Sequence, residues 1–498
     1  MKNMMKIFVA LVLVSLLCQN QVHAQEAPAS DRIVRVAMVS EIDSIDPHQS
    51  SATDTEIILA NLHDGLIDYN PTGEIIPSLA KSWEISDDHL TYTFKLREAT
   101  FHNGDPVTAE DVVASYRPLA GLEGEEAISS KWEMVESIES IDDKTVEIKL
   151  ETVDSGFLAR TLSPVMPAGY EEQASQPIGA GPFKFVEWKQ GEKLVMERYD
   201  EYHNQDKVPQ IQGVEWVLMQ DPATVVLSLQ TGEIDIAGID VQGKEQLGSA
   251  LNYLEGPMNM PVIFGLNHAN DKFQDPLVRQ AINHAINKEE IIEIVYQGNA
   301  VELGSNFSPV MEQYYQDGLQ ETWPYDPERA KELLKEAGAE DLSFTIKVPS
   351  HAQFYLDTAQ VIQDQLAQVN IAMEIQSVEW NTWLEDVYTK FDHEATLIGL
   401  TGKIDPYDVL IRFVEGYNRN FINYNNEEYN TAIDNAVQQL DEGKRAEFYQ
   451  EAQTILAEDA SSVFLMDPNR ITAMQADLEG LENFPASKYN LEDLRVVE

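Results

Sequence analysis

Hydrophobic and polar positions change their period along this 498-residue chain, and the change divides it into two parts. Up to about residue 250 a period of two dominates, the signature of half-buried strands. Residues 33–39 predict an opening strand, followed by a loop at 40–51 and a helix through 56–62. Tyr92, Phe94 and Leu96 alternate with polar residues, and Val146, Ile148 and Leu150 repeat the pattern. An apolar turn starts at Pro77, Asp87-Asp88 breaks a strand pair, and Asn103-Gly104-Asp105 makes a second turn. Thr108, followed three residues later by Asp111, caps a helix whose Val112, Val113 and Tyr116 share one face. Segments 183–188 and 193–198 flank Gln190-Gly191 as a hairpin, and 221–229 reads as a capped helix leading through a turn to a strand at Ile236.

From residue 275 the period lengthens to that of helices alternating with strands. Asp275-Pro276 is a cap and first-turn pair, after which Val278, Ala281, Ile282, Ala285 and Ile286 recur at helical spacing. Asp326-Pro327 opens another helix, closed by Gly338, with Ala330, Leu333, Leu334 and Ala337 on its apolar face. A strand at 344–348, a helix at 357–369 and a strand at 372–378 predict an α/β lobe with a parallel or mixed sheet. From about Phe464 the pattern returns to short strand-like pieces.

Composition narrows the function classes. The chain carries 85 acidic against 34 basic residues, a formal charge of −51, which repels nucleic acid and anionic membranes. This excess reads either as a solvated acidic surface suited to a salty medium or as an acidic cleft that attracts cations. Lys2 and Lys6, the apolar run 7–17 and Val22-His23-Ala24 form an export signal over residues 1–24. About 11 apolar residues fall short of the roughly 20 needed to span a bilayer, so the chain is not expected to be membrane-embedded. The only cysteine, Cys18, lies in this segment, and Leu17 before it is too large for lipoprotein processing. The mature chain then has no cysteine and needs no disulfide.

Four blocks, in order, carry a resemblance. They are residues 73–116, Gly179-Ala180-Gly181-Pro182-Phe183-Lys184-Phe185, the run GEIDI at 232–236, and NDKFQDPLVRQAINHAINKEEII at 270–292. Together they resemble the periplasmic peptide-, nickel- and oligopeptide-binding proteins of ABC importers. The resemblance implies an α/β, bilobed periplasmic binding protein fold with an extra subdomain in the first lobe and a ligand cleft between the lobes. It places the main part of lobe I at 25–61, 178–265 and 468–498, the extra subdomain at 62–177 and lobe II at 266–467. Crossings between the lobes are expected near 266–270 and 466–469, where Asn, Asp and Pro interrupt regular structure. It further implies a periplasmic monomer that needs no cofactor and works with the permease and ATPase subunits of an importer.

Catalytic constellations are absent from the sequence: there is no Gly-x-Ser-x-Gly elbow, no phosphate-cradling loop, and no histidine pair at metal-ligand spacing among the ten. The chain therefore reads as a binder and not an enzyme, with a secreted hydrolase as the distant alternative. Family members line the cleft with loops that correspond here to 40–46, 258–261, 349–355 and 399–408. Candidate ligand residues on or near these loops are Glu41, Met258, His351, Tyr355, Trp380, Lys403, Asp405, Tyr407 and Asp408. In the peptide-binding branch an aspartate at the position of Lys403 meets the peptide's amino end, so the charge there is reversed. Asp405, Asp408 or Glu41 would then supply the anion, or Lys403 would bind an anionic solute such as an opine or sugar phosphate, or it would pair with a neighbouring acid. The loop 349–355 also lacks the arginine that dipeptide binders use for the peptide carboxylate, which argues against strict dipeptide recognition. An oligopeptide or peptide-like solute is the expected cargo, and a metal chelate a lesser alternative.

Overall fold

A computed structural model describes residues 30–497 apart from Ser51, Glu125, His351 and Ser487. The expected export signal and Cys18 lie outside the described residues, as does His351. Among the described residues, no helix is long and apolar enough to cross a membrane.

Three sheet regions carry the fold. In the first lobe, strand Ile33–Met38 pairs in parallel with Gly213–Leu218 and Ile236–Ile239, and the hairpin Phe183–Lys189 and Lys193–Arg198 extends the far edge. In the second lobe, Ser343–Pro349 lies parallel to Ala372–Val378 and Ala395–Gly399, and Val262–Leu266 runs antiparallel beside the last. The extra subdomain is the antiparallel sheet Ala80–Ile85, Thr91–Leu96, Thr145–Leu150 and Val135–Asp142, covered by helix Ala109–Ala120. Its core is the set the alternation picks out: Tyr92, Phe94, Leu96, Val146, Ile148 and Leu150 are buried against Val112, Val113 and Tyr116. The Thr108 backbone N–H donates to Asp111 Oδ2 at 2.7 Å, completing the cap read from the sequence.

Aspartate followed by proline begins helices four times. Asp221, Asp275, Asp326 and Asp405 each accept a backbone N–H of the first turn, while Pro222, Pro276, Pro327 and Pro406 occupy a position that needs no donor.

The C-terminal region departs from the short pieces expected there. Ser462–Gln475 is one strand of 14 residues that belongs to both lobes. Its first half pairs with Val262–Leu266, and its second half with Ile236–Ile239 and Leu251–Pro257. Pro468 does not break it because neighbours on both sides hold the chain extended: the Pro468 carbonyl accepts from Met258 N–H at 2.9 Å, and Asn469 N–H donates to Asn299 O at 3.0 Å. The other passage between lobes falls at 258–261, between strands Leu251–Pro257 and Val262–Leu266, and so ahead of the expected 266–270. The fully apolar, fully buried Val262–Leu266 hides the boundary from any reading of breaker residues.

The two passages are tied together by Asp467. This fully buried carboxyl accepts from Met260 N–H at 2.9 Å through Oδ1. Burial raises its pKa from 3.8 to about 6, against a weaker downward pull from Ser308 and the backbone of 258–260. Because the folded pKa lies above the unfolded one, the group's contribution to stability is fully present below pH 3.8 and is lost as pH rises through 6. The unfolding free energy of the wild type relative to Asp467→Asn is therefore expected to rise by roughly 2 kcal/mol from pH 8 to pH 4. Denaturant titrations at both pH values check this, and a pH-independent difference between the two proteins refutes it.

Candidate functional site

The parallel strands of the second lobe end together at Pro349, Val378 and Gly399. In open α/β sheets the carboxyl ends of such strands border the ligand crevice. A cavity of about 1010 Å³ opens beside them, walled by Trp380, Tyr388, Thr401, Arg412, Tyr417 and Arg419 among others.

The loop 399–408 is held rigidly from below. Gly399 N–H donates to the Tyr355 hydroxyl at 3.0 Å, Leu400 N–H to Pro261 O at 2.9 Å, and Gly402 N–H to Asn259 O at 2.6 Å. Asn259 is buried at φ 53°, a left-handed conformation that asparagine tolerates better than most residues. Its Nδ2 donates to Pro485 O at 2.5 Å, so the passage residue joins this loop to the C-terminal segment. Gly402 is required here: a Cβ would sit 2.0 Å from Asn259 Oδ1.

Beyond Gly402 the loop meets the extra subdomain. Asp405 caps helix Pro406–Leu410 through Tyr407 N–H at 2.9 Å and is ion-paired with Arg445, whose Nη2 lies 3.1 and 3.2 Å from its two oxygens. Arg445 Nη1 donates to Ser155 O at 3.2 Å, and Ser155 N–H donates to Val437 O at 3.0 Å. Asp154 pairs with Arg160, and Lys131 with Asp408. Burial raises the Asp154 pKa and Asp405 adds to the rise, against the pull of Arg160. Three acids and three bases thus meet where the extra subdomain touches the second lobe, with Asp154 and Asp405 facing each other between Arg160 and Arg445.

This geometry redistributes the expected ligand residues. Tyr355 is buried in the second-lobe core, 3% exposed, so it positions Gly399 and offers no stacking face. Asp405 and Asp408 are ion-paired with Arg445 and Lys131. Glu41 accepts from Gly191 N–H at 2.7 Å in the hairpin on the far edge of the first-lobe sheet. Trp380 is 38% exposed, stacks on buried Trp383 at 5.2 Å between centroids, and lines the cavity. Tyr407 and Lys403 are half-buried, and no carboxylate among the described residues pairs with the Lys403 ammonium. Half-buried Met258 contributes its backbone to the passage. Sequence reasoning missed Arg445, Arg412, Arg419 and Gly156. Two arginines within eight residues of an asparagine-rich stretch, in a chain so poor in bases, were the available signal for Arg412 and Arg419.

Comparison with known proteins agrees with this architecture. The model of the bacterial extracellular solute-binding proteins, family 5, matches residues 74–421. The glutathione-binding protein of Pectobacterium atrosepticum is 27% identical over 94% of this chain and 95% of its own. The oligopeptide-binding protein AppA from Bacillus subtilis, solved in complex with a nonapeptide, superposes with a TM-score of 0.76 at 26% identity, covering 95% of this chain and all of AppA. The ABC transporter substrate-binding protein CtaP from Listeria monocytogenes gives 0.83 at 26% identity, over 94% and 99% of the two chains. Members of this family are binding proteins of transport systems and not enzymes. With about 70% of its length inside the family model and both lobes superposing on solved members, the chain belongs to the bacterial extracellular solute-binding proteins of family 5.

Proposed function

We propose that this chain is the peptide-capturing subunit of an ABC importer, a periplasmic monomer released from an export signal at residues 1–24, which hands its cargo to membrane permease and ATPase subunits. The observation that carries the reading is the extent of the likeness: relatives that bind glutathione and a nonapeptide resemble this chain over 94% and 95% of its length, and so across both lobes and the loops between them. The peptide lies between the lobes, against the strand ends at 349, 378 and 399, and closure follows because both lobes contact it at once. Trp380, Tyr407 and Lys403 are the side chains we assign to it from the original candidates, with the Met258 backbone at the hinge. Glu41, Tyr355, Asp405 and Asp408 instead hold the protein's own parts together.

Mass spectrometry of small molecules released when the purified mature protein is denatured is expected to find peptides, and calorimetry with those peptides to give binding without turnover. Cleavage of the added peptides, or a copurified ligand with no amide bond, overturns the reading.

A further inference from the structure

We propose that the cavity beside Gly399–Thr401 is a carboxylate subsite in which Arg412 and Arg419 hold an anionic group of the bound peptide, either its C-terminus or an acidic side chain. This rests on the peptide reading above and specifies which peptides are preferred.

Charge pairing within the protein is the first argument. In a chain with 85 acids and 34 bases, most basic side chains find a carboxylate, as Lys131, Arg160, Lys347 and Arg445 do near the lobe contact and the second-lobe sheet. Among the described residues, Arg412 and Arg419 do not. Arg412 Nη2 donates only to Thr401 O at 3.2 Å, which fixes the guanidinium at the cavity wall. Among the described residues, nothing hydrogen-bonds or ion-pairs with the Arg419 guanidinium. One carboxylate lines the cavity, Glu415, and its Oε1 is taken by Asn425 Nδ2 at 2.7 Å. Both arginines act on the Tyr388 hydroxyl from within the same cavity: burial raises its pKa, and the two guanidiniums oppose that rise.

Chemistry and place agree with the charge. A planar guanidinium presents paired donors that match a carboxylate, and the pair is stronger than a neutral hydrogen bond. Trp380, Tyr388 and Tyr417 line the same cavity, so aromatic faces flank the two guanidiniums. Net charge does not oppose it, because at physiological salt the field of distant acids is screened beyond about 8 Å. The cavity borders the crevice end of the strands, and about 1010 Å³ is room for more than one residue. With Asp405 and Asp408 already paired, positive charges outnumber negative ones around this loop: Lys403, Arg412 and Arg419 stand against Glu415, whose carboxylate is held by the neutral Asn425 amide.

Calorimetry on unliganded mature protein tests this with four matched tripeptides: Ala-Ala-Glu, Ala-Ala-Gln and the C-terminal amide of each. The wild type is expected to lose about tenfold or more in affinity when the responsible carboxylate is removed, the value for one charge-assisted contact. Loss on Glu-to-Gln exchange identifies a side-chain carboxylate, and loss on amidation the C-terminus. Arg419→Met, whose side chain supports no other part of the protein, is expected to bring the ratio of charged to neutral peptide toward unity, and Arg412→Gln to do the same. Equal affinities for all four peptides in the wild type, or a ratio that survives Arg419→Met, overturns the subsite while the peptide reading stands. If none of these or longer peptides binds, the peptide reading falls and the subsite with it.

Discussion

Replacing Arg445 with alanine is expected to destabilise the second lobe by about 3–5 kcal/mol, the range for removing one partner of a buried ion pair. Arg445 and Asp405 are only 12% and 10% exposed, and the guanidinium lies 5.6 Å from the ring centroids of both Tyr314 and Tyr449. Burial works against the Arg445 charge, yet Asp405, with help from the two tyrosines, outweighs it and drives the pKa upward. Truncation therefore removes two cation–π contacts, the hydrogen bond to Ser155 and the counter-charge of a carboxylate that faces another buried acid, Asp154. The pair itself contributes less than this figure, because desolvating both charges offsets much of their attraction. Asp405→Asn alone, which leaves the Arg445 charge buried, is expected to destabilise by several kcal/mol as well. Arg445→Met combined with Asp405→Asn is expected to recover much of the loss. A double-mutant cycle by urea unfolding, following the second-lobe transition, measures the coupling. A change below about 1 kcal/mol for Arg445→Ala would show that water enters the contact and that the pair is effectively a surface one.

Arg445 also marks where sequence reading stopped. Local signals carried the fold a long way: the alternation at Tyr92, Phe94 and Leu96, the Thr108–Asp111 cap and the Asp-Pro helix starts were legible because each depends on residues within one or two turns. Asp405 read as a free anion because its partner stands 40 positions away on helix Glu442–Glu458, at a spacing no motif encodes. Tyr355 read as a ligand aromatic because it follows a strand end, whereas its ring packs inward and its hydroxyl receives Gly399 N–H. The 258–261 passage was invisible for a different reason. A chain crossing between lobes needs no breaker when the strands on either side remain paired, and here Ser462–Gln475 pairs with both.

Gly156 offers the second large effect, on closure in place of stability. Its backbone has φ −85° and ψ −6°, which alanine adopts without strain, so substitution acts only through the added methyl group. That carbon would lie 1.9 Å from Asp405 Oδ2 and 2.8 Å from its Cγ. Asp405 has no freedom to retreat, because one oxygen caps Tyr407 N–H and both face Arg445. The relief available is separation of the extra subdomain from the second lobe, which breaks Lys131–Asp408 and the Ser155 contacts together. Gly156→Ala is therefore expected to shift the population toward open lobes and to weaken peptide binding by about tenfold or more, since apparent affinity falls in proportion to the fraction able to close. Small-angle scattering with saturating peptide should record a larger radius of gyration than for the wild type. Gly238→Ala is the matched control: that glycine has nothing within 4 Å of an added Cβ, and its substitution should leave both affinity and scattering unchanged. Wild-type affinity and compaction in Gly156→Ala would mean that the lobes close on peptide without this contact, leaving the 154–160 segment and the 405–408 loop as neighbours that do not govern closure.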